Sequence, residues 1–198
     1  MKVLAIESSC DDTSFSVVSD DKSIDFIKTI NHRKFHKKHG GVIPEMAARQ
    51  HLDIMDYLQK SIKKFDFKKI DAIAATYGPG LIGGLIVGSS FAKGLSISRQ
   101  KKLIPVNHLQ AHLLSPRLTS NLSFPYLCLL VSGGNTALVI VKSPKKFVTL
   151  GSTIDDSAGE CFDKVSKALG LGYPGGPIIE KLALKGDHHK YKLPLPLT

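Results

Sequence analysis

The chain has 198 residues, of which 42% are hydrophobic, and its 27 lysines and arginines exceed its 17 aspartates and glutamates to give a net charge of +10. This composition excludes a disordered or fibrous protein and predicts one large globular domain or two small ones. Three widely spaced cysteines do not indicate a disulfide framework, so the cytoplasm is the expected compartment. The short apolar stretch at residues 3–6 predicts no targeting segment.

The first half of the chain is predicted to form a three-stranded meander followed by alternating helices and strands. Strands are expected at Lys2–Glu7 and at residues 14–19, 23–30, 70–76 and 103–106. Helices are expected from about Pro44, where apolar residues recur every three or four positions, and at residues 83–99 and 109–118. The uncharged stretch 72–92 contains glycines and a proline typical of loops, so we interpret it as a buried strand, loop and helix and expect no membrane span.

The same pattern begins again in the second half. Strands are predicted at residues 126–131, 137–141 and 147–152, with a helix at 158–169. In both halves a turn of small residues ends in a threonine, Thr13 or Thr136, between two apolar strands, which predicts an internal duplication of a βββαβα unit. The second copy stops after one helix and a proline-rich tail, so we expect domains at 1–106 and 107–198, the second incomplete and the chain truncated relative to its fold.

Duplicated βββαβα units are typical of the superfamily that contains actin, Hsp70 and the sugar kinases. The predicted fold class is therefore α/β, of the actin-like ATPase type. In that superfamily the first hairpin of each half approaches nucleotide phosphates, which directs attention to the two turns.

Both turns carry residues suited to a phosphate or its metal ion. The first places the adjacent carboxylates of Asp11 and Asp12 at a strand end, although a solvated hairpin turn is the alternative. The second, at residues 132–136, has little side-chain bulk and lets a ligand approach the backbone, although it is also compatible with a simple glycine hairpin.

A glycine-rich loop at residues 78–84 is predicted to join a strand to a helix. Its free N–H groups and the helix dipole are suited to an anion. The alternative is that Gly84 and Gly88 permit close helix packing. No Gly-Lys-Ser/Thr follows, so this is not a Walker A loop.

His108 and His112 stand four residues apart, which on a helix places both imidazoles on one face at a spacing suited to a divalent metal. The alternative to a metal site is that two surface histidines have this spacing by chance. A zinc protease of the His-Glu-x-x-His type needs Glu directly after the first His, and Leu109 occupies that position, so proteolysis is disfavoured.

Two further segments have a charged composition. The run 32–39 contains four fixed positive charges, three histidines and one aromatic, as expected of an RNA backbone contact, with a solvated basic loop as the alternative. The acids of residues 155–160 open a helix, which capping alone explains. Asp163 and residues 173–177 are predicted to form a second polar edge that faces the cleft between the two halves of the chain.

Seven motifs, in order along nearly the whole chain, resemble those of the TsaD family of tRNA threonylcarbamoyladenosine transferases: ESSCDDT, HGGVIPEMAARQH, YGPGL, PVNHLQAH, LVSGGNT, DDSAGECFDK and YPGGP. The resemblance implies transfer of a threonylcarbamoyl group from threonylcarbamoyl-AMP to the adenosine 3′ of the anticodon, in tRNAs that read ANN codons. It also implies a cytoplasmic protein that works with TsaB-like and TsaE-like partner proteins and binds tRNA.

Residue by residue, the resemblance implies that His108 and His112 bind a divalent metal ion, with iron(II) as the expected metal and zinc as the alternative. It implies that Asp11 lies near the reacting groups. Substrate contacts fall on the following residues: Leu130, Val131, Ser132, Gly133, Gly134, Asp163 and Gly176.

The family's chains continue beyond the point where this one ends, with an Asn that holds substrate and an Asp that completes the metal site. This leaves a second hypothesis, in which the chain is a catalytically inactive remnant or a scaffold for the tRNA-modification complex. A kinase or ATPase of the same superfamily is a third, disfavoured by the sequences HLQAH and DDSAGECFDK.

Overall fold

The computed structural model of the chain describes residues 1–32, 41–62 and 66–194. By compactness the chain divides into two units, which are Met1–Cys128 with Val139–Val148, and Leu129–Leu138 with Thr149–Thr198. The predicted domains, 1–106 and 107–198, follow the sequence repeat and stay a prediction. Of the basic run at residues 32–39, residues 33–39 lie outside the described residues, whereas His32 is described and is buried rather than available for an RNA contact.

A five-stranded sheet forms the centre of the first unit, in the order β3-β2-β1-β4-β5. Strands β1, β2 and β3 are antiparallel neighbours, whereas β4 and β5 add in parallel to β1. Every predicted strand of this half is confirmed, with ends within two residues of the expected positions. The strand bounds are Lys2–Glu7 (β1), Asp12–Ser19 (β2), Ile24–Asn31 (β3), Ala72–Gly78 (β4) and Lys102–Asn107 (β5).

Four helices follow the strands of this unit within the described residues, and a 3₁₀ turn lies at Phe67–Lys69. The helix bounds are Pro44–Ile62 (α1), Ile82–Arg99 (α2), His108–Leu114 (α3) and Pro116–Thr119 (α4). The single helix predicted at 109–118 is wrong, because Pro116 opens a new helix at its first position, where the missing N–H costs nothing.

The core of the first unit lies between the sheet and the two long helices α1 and α2. Helix α1 buries one face at spacings of three and four residues, as predicted for Met55, Leu58 and Ile62. The expectation that Leu52 belongs to this face is wrong, because Leu52 is exposed and His51 is buried instead. The buried core side chains include Leu4, Phe15, Val17, Met55, Leu58, Ile62 and Ile73. Within the three described ranges, no helix combines the length and apolar character needed to cross a bilayer.

Helix α2 packs closely because glycines face its neighbours. A Cβ atom on Gly83 would lie 2.7 Å from the Cβ of Ala48 in α1, and one on Gly84 would meet the Ser8 carbonyl and the His51 ring. A Cβ on Gly88 would meet the Ser8 hydroxyl. The packing interpretation therefore explains Gly84 and Gly88.

The second predicted meander is also confirmed. Its sheet, in the order β6-β7-β8, is followed by two helices in the described residues. The expectation of one helix is wrong, because Gly175, Gly176 and Pro177 open a further helix in the first turn, where a missing N–H is tolerated. The bounds are Tyr126–Val131 (β6), Thr136–Ser143 (β7), Lys146–Ser152 (β8), Ala158–Ala168 (α5) and Gly175–Ala183 (α6).

Candidate metal site and glycine loop

The two candidate metal ligands, His108 and His112, lie on helix α3, which begins directly after strand β5. The Asn107 side chain caps this helix by accepting a hydrogen bond from the Gln110 N–H at 3.0 Å. The cap fixes His108 as the first helical residue and places His112 one turn later. Their Nε2 atoms are 3.2 Å apart, with the rings nearly perpendicular.

This separation fits two ligands of one metal ion. Metal–nitrogen bonds of about 2.0–2.1 Å at a tetrahedral angle place two ligand nitrogens about 3.3–3.4 Å apart. Neutral imidazoles are ligands that iron and zinc both accept. Burial, followed by the neighbouring His108, lowers the pKa of His112, which favours its neutral form.

Glu7 and Ser9 contact the other ring nitrogen of His108. The Oε2 atom of Glu7 lies 3.3 Å from His108 Nδ1, and the Ser9 Oγ atom lies 3.0 Å from it. Glu7 is itself held by the Ser9 backbone N–H, which donates to Oε1 at 2.5 Å, and by the Thr76 hydroxyl, which donates to Oε2. Because these partners fix His108, a chance pair of surface histidines explains the geometry less well than a binding site.

Strand register brings these residues together. Ile6 in β1 pairs in parallel with Ala75 in β4, and Thr76 pairs with Val106 in β5. The carboxyl ends of three neighbouring parallel strands therefore meet at one edge, where ligand sites of open α/β sheets occur.

The Glu7 carboxyl is ionised. Burial raises its pKa, but the hydrogen bonds with His108, Ser9 and Thr76 outweigh burial and bring the pKa down to about 2. A negative charge therefore lies beside His108 at all ordinary pH values. Among the described residues, no cluster of three or more histidine, cysteine, aspartate or glutamate side chains is arranged to hold a metal ion.

Asp11 lies in the bend between β1 and β2 and is partly buried. Its carbonyl accepts a hydrogen bond from the His32 N–H at 3.1 Å. Partial desolvation, followed by the Asp11 charge, raises the pKa of the adjacent Cys10 thiol to about 11. The catalytic role of Asp11 stays a prediction.

In the second unit, residues 132–135 form a tight turn after β6. The Ser132 N–H donates to the Asn135 carbonyl at 2.8 Å, and the Asn135 N–H donates to the Ser132 hydroxyl at 3.0 Å. A Cβ on Gly133 or Gly134 would have no atom within 4 Å, so this backbone faces open space. Of the two preceding residues implied as substrate contacts, Leu130 is buried and Val131 is exposed.

Helix α5 holds this turn through its N-terminus. Ser157 caps the helix: its hydroxyl accepts from the Glu160 N–H and donates to the Gly133 carbonyl at 2.6 Å. The Gly159 N–H donates to the Ser132 carbonyl at 3.2 Å. The turn is therefore fixed while its glycines stay open.

Asp163, one turn further along α5, holds the start of α6. Its Oδ1 atom accepts from the Gly175 N–H at 2.6 Å, and a Cβ on Gly175 would meet the Phe162 carbonyl. A Cβ on Gly176, by contrast, would meet nothing within 4 Å. The structure thus brings Asp163 beside Gly175, but the implied substrate contacts of Asp163 and Gly176 stay a prediction.

Sequence reasoning missed Glu7, Thr76 and Ser157 as supporting residues. Ser157 had a local signal, since Ser followed three residues later by Glu is typical of a helix N-terminus. Glu7 lay inside a recognised motif, but nothing local connects it to a histidine 101 residues away.

Comparisons with known proteins agree on one family. The family model described as "TsaD: tRNA N6-adenosine threonylcarbamoyltransferase" matches residues 26–198. The tRNA N6-adenosine threonylcarbamoyltransferases of Orientia tsutsugamushi (strain Boryong) and Thermotoga neapolitana are 52% and 50% identical to this chain. Both matches cover 100% of this chain but 58% and 61% of the relatives, so the chain spans about three fifths of their length.

Among solved structures, a ROK family protein from Streptococcus pneumoniae in complex with sucrose is similar, with a TM-score of 0.57. The match covers 94% of this chain and 68% of that chain at 16% sequence identity. At this identity the likeness shows the fold alone. It confirms the predicted α/β fold of the actin-like ATPase class.

Proposed function

The chain belongs to the TsaD family of tRNA N6-adenosine threonylcarbamoyltransferases, and from this membership we propose that it forms threonylcarbamoyladenosine in tRNA. In this reaction the exocyclic amine of the adenosine that lies 3′ of the anticodon attacks the carbamoyl carbon of threonylcarbamoyl-AMP. A C–N bond forms, the C–O bond to the phosphate breaks, and AMP leaves. The observation that carries the proposal is the family match over residues 26–198, which includes His108, His112 and the glycine turn.

The histidine pair is the proposed metal site. His108 and His112 would hold a divalent ion, iron(II) in first place and zinc as the alternative, and their 3.2 Å separation supports this role. When bound, such an ion supplies a Lewis acid for the substrate carbonyl or the adenylate phosphate. No protein nucleophile is then required, and Asp11 is proposed to lie near the reacting groups.

The turn at residues 132–134 is the proposed substrate loop. Open backbone at Gly133 and Gly134 permits close approach by the substrate, and the Ser157 contact keeps the loop in one conformation. Leu130, Val131, Asp163 and Gly176 complete the proposed set of contacts.

The proposed partners are tRNA and the TsaB-like and TsaE-like proteins, in the cytoplasm. A net charge of +10 favours a polyanionic substrate. The basic run at residues 33–39 is proposed to contribute to tRNA binding.

A second candidate function is a non-catalytic scaffold in the tRNA-modification complex. It is favoured by the absence, in the described ranges, of a third side chain arranged beside the two histidines to hold a metal. Two imidazoles alone leave much of a metal's coordination to water or to groups from elsewhere.

Reconstitution separates the two candidates. The purified chain is mixed with metal, TsaB-like and TsaE-like proteins of the same organism, threonylcarbamoyl-AMP labelled in the threonine, and a tRNA that reads an ANN codon. We expect label in the tRNA, and none in a matched tRNA whose adenosine 3′ of the anticodon is replaced by guanosine. Binding of tRNA without labelling would contradict the transferase proposal and support the scaffold.

A further inference from the structure

The two ring nitrogens of His108 face different surroundings. Nε2 faces His112 at 3.2 Å, which is the proposed metal side. Nδ1 faces Glu7 Oε2 at 3.3 Å and Ser9 Oγ at 3.0 Å. A neutral imidazole carries its proton on one of these nitrogens only, so the identity of that nitrogen decides whether Nε2 has a lone pair for a ligand.

Glu7 settles this choice because both of its oxygens accept hydrogen bonds, Oε1 from the Ser9 N–H and Oε2 from the Thr76 hydroxyl, so it presents only an acceptor to His108. Nδ1 must donate to make a favourable contact with Glu7, and the proton therefore lies on Nδ1. We propose that Glu7 is a positioning residue that fixes His108 in the Nδ1–H tautomer and so leaves the Nε2 lone pair directed at the metal position. The inference deepens the proposed function. It rests on that function only for the statement that a metal ion binds at Nε2.

The Ser9 hydroxyl lies slightly nearer to His108 Nδ1 than Glu7 does, but it does not determine which ring nitrogen carries the proton. A hydroxyl both donates and accepts, so Ser9 is compatible with either tautomer of His108. Its backbone has a different role, because the Ser9 N–H donates to Glu7 Oε1 at 2.5 Å.

The carboxylate is well suited to positioning because both of its oxygens are held. The Ser9 N–H engages Oε1, and the Thr76 hydroxyl donates to Oε2 from the neighbouring strand β4. The side chain therefore has little freedom to turn away from His108. Such a carboxylate behind a ligating histidine orients the ring and increases its basicity as a ligand.

The first test uses the unaltered, metal-free protein. Nitrogen-15 NMR of the histidine side chains, with the His108 signal assigned from a His108→Ala variant, reports which ring nitrogen is protonated in the neutral ring. We expect a protonated Nδ1 and a bare Nε2. A bare Nδ1 would overturn the inference, and this measurement does not depend on whether a variant folds.

The second test measures zinc affinity by competition with a chelator. Glu7→Gln keeps the shape of the side chain but adds an NH₂ donor, so we expect the His108 tautomer to shift towards Nε2–H and affinity to fall about 10–100-fold. The matched control, Glu180→Gln, changes an exposed glutamate of α6 and should leave both the His108 tautomer and the zinc affinity unchanged.

Ser9→Ala tests the competing hydroxyl and should leave the tautomer in place. Unchanged affinity and tautomer in Glu7→Gln would overturn the inference, as would a tautomer shift in Ser9→Ala without one in Glu7→Gln. If the unaltered protein binds no zinc or iron(II), the metal part of the proposed function fails, and the tautomer measurement alone decides the role of Glu7.

Discussion

The Thr13 hydroxyl in strand β2 lies 2.7 Å from Nδ1 of His51 in helix α1, and both side chains are fully buried. The same hydroxyl lies 3.0 Å from Nε2 of His32, directly after strand β3. His51 Nε2 in turn lies 3.1 Å from the Cys10 carbonyl oxygen. One hydroxyl therefore connects two strands and a helix beneath the first turn.

Replacement of Thr13 by valine keeps the side-chain shape but removes this shared hydrogen-bond partner. A buried polar group that loses its partner costs about 1–3 kcal/mol. Because both His32 and His51 lose a partner, we expect the free energy of unfolding, measured in urea, to fall by about 1–3 kcal/mol or more. Thr29→Val changes an exposed threonine of β3 and should stay within about 0.5 kcal/mol of the original. Equal effects from the two substitutions would contradict the role assigned to Thr13.

Gly159→Ala should loosen the proposed substrate loop. The new Cβ would lie 2.6 Å from the Ser132 carbonyl oxygen and 2.8 Å from Gly133 Cα, both backbone atoms. We expect a loss of about 1–3 kcal/mol, as for other overpacked sites, and faster amide hydrogen exchange in the peptide 129–138. Gly176→Ala is the matched control, since its Cβ meets nothing, and it should exchange at the original rate. Slow exchange in both variants would show that the loop tolerates the methyl group.

Replacement of both His108 and His112 by alanine should abolish metal retention, because the two Nε2 atoms are the proposed ligands. Elemental analysis of the purified protein, grown with added iron and zinc, measures this. A His188→Ala/His189→Ala variant removes two exposed histidines and serves as the control. Unchanged metal content in the His108/His112 variant would refute the site.

Alkylation of Cys10 should be slow at neutral pH although its side chain is exposed. Its thiolate is the reactive form, and a pKa of about 11 leaves about 1% thiolate at pH 9. In a variant with Cys128 and Cys161 replaced by serine, we expect the iodoacetamide rate to rise about tenfold per pH unit from pH 7 to 10. The same protein in urea, where a free thiol titrates near 8.5, is the control. A plateau below pH 9 in the folded protein would contradict the raised pKa.

Replacement of Arg33, Lys34, Lys37 and Lys38 by alanine should weaken tRNA binding and flatten its salt dependence. Each lost phosphate contact reduces the slope of log affinity against log salt by about 0.7–0.9, so the loss of all four contacts should reduce the slope by up to about 3–4 units. A control variant removes the same charge at exposed lysines elsewhere: Lys167, Lys181, Lys185 and Lys190. An unaltered slope in the first variant would identify the run as a solvated loop.

The strands and most helices could be predicted from the sequence because their signal is local. The apolar face of α1 and the apolar strands of both meanders repeat at the period of the structure they form. Helix α6 was missed because two glycines and a proline at its start are typical of a loop, and the Asp163 contact that supports that start comes from another helix.

For the candidate site, spacing alone placed His108 and His112 on one helical face. It could not supply Glu7 or Thr76, because those contacts follow from the parallel register of β1, β4 and β5 rather than from any neighbouring residue. Ser157 was likewise read only as part of a capped helix. Its bond to the Gly133 carbonyl is a tertiary contact.

Glu7 and His108 are separated by 101 residues, and this separation sets an order of events during synthesis. At about 5–20 residues per second, the carboxylate leaves the ribosome about 5–20 s before its imidazole partner. His108 directly follows strand β5, so the proposed contact between Glu7 and His108 can form only after β5 has joined the sheet. Nascent chains that end before β5 therefore contain the carboxylate but lack both histidines of the proposed metal site.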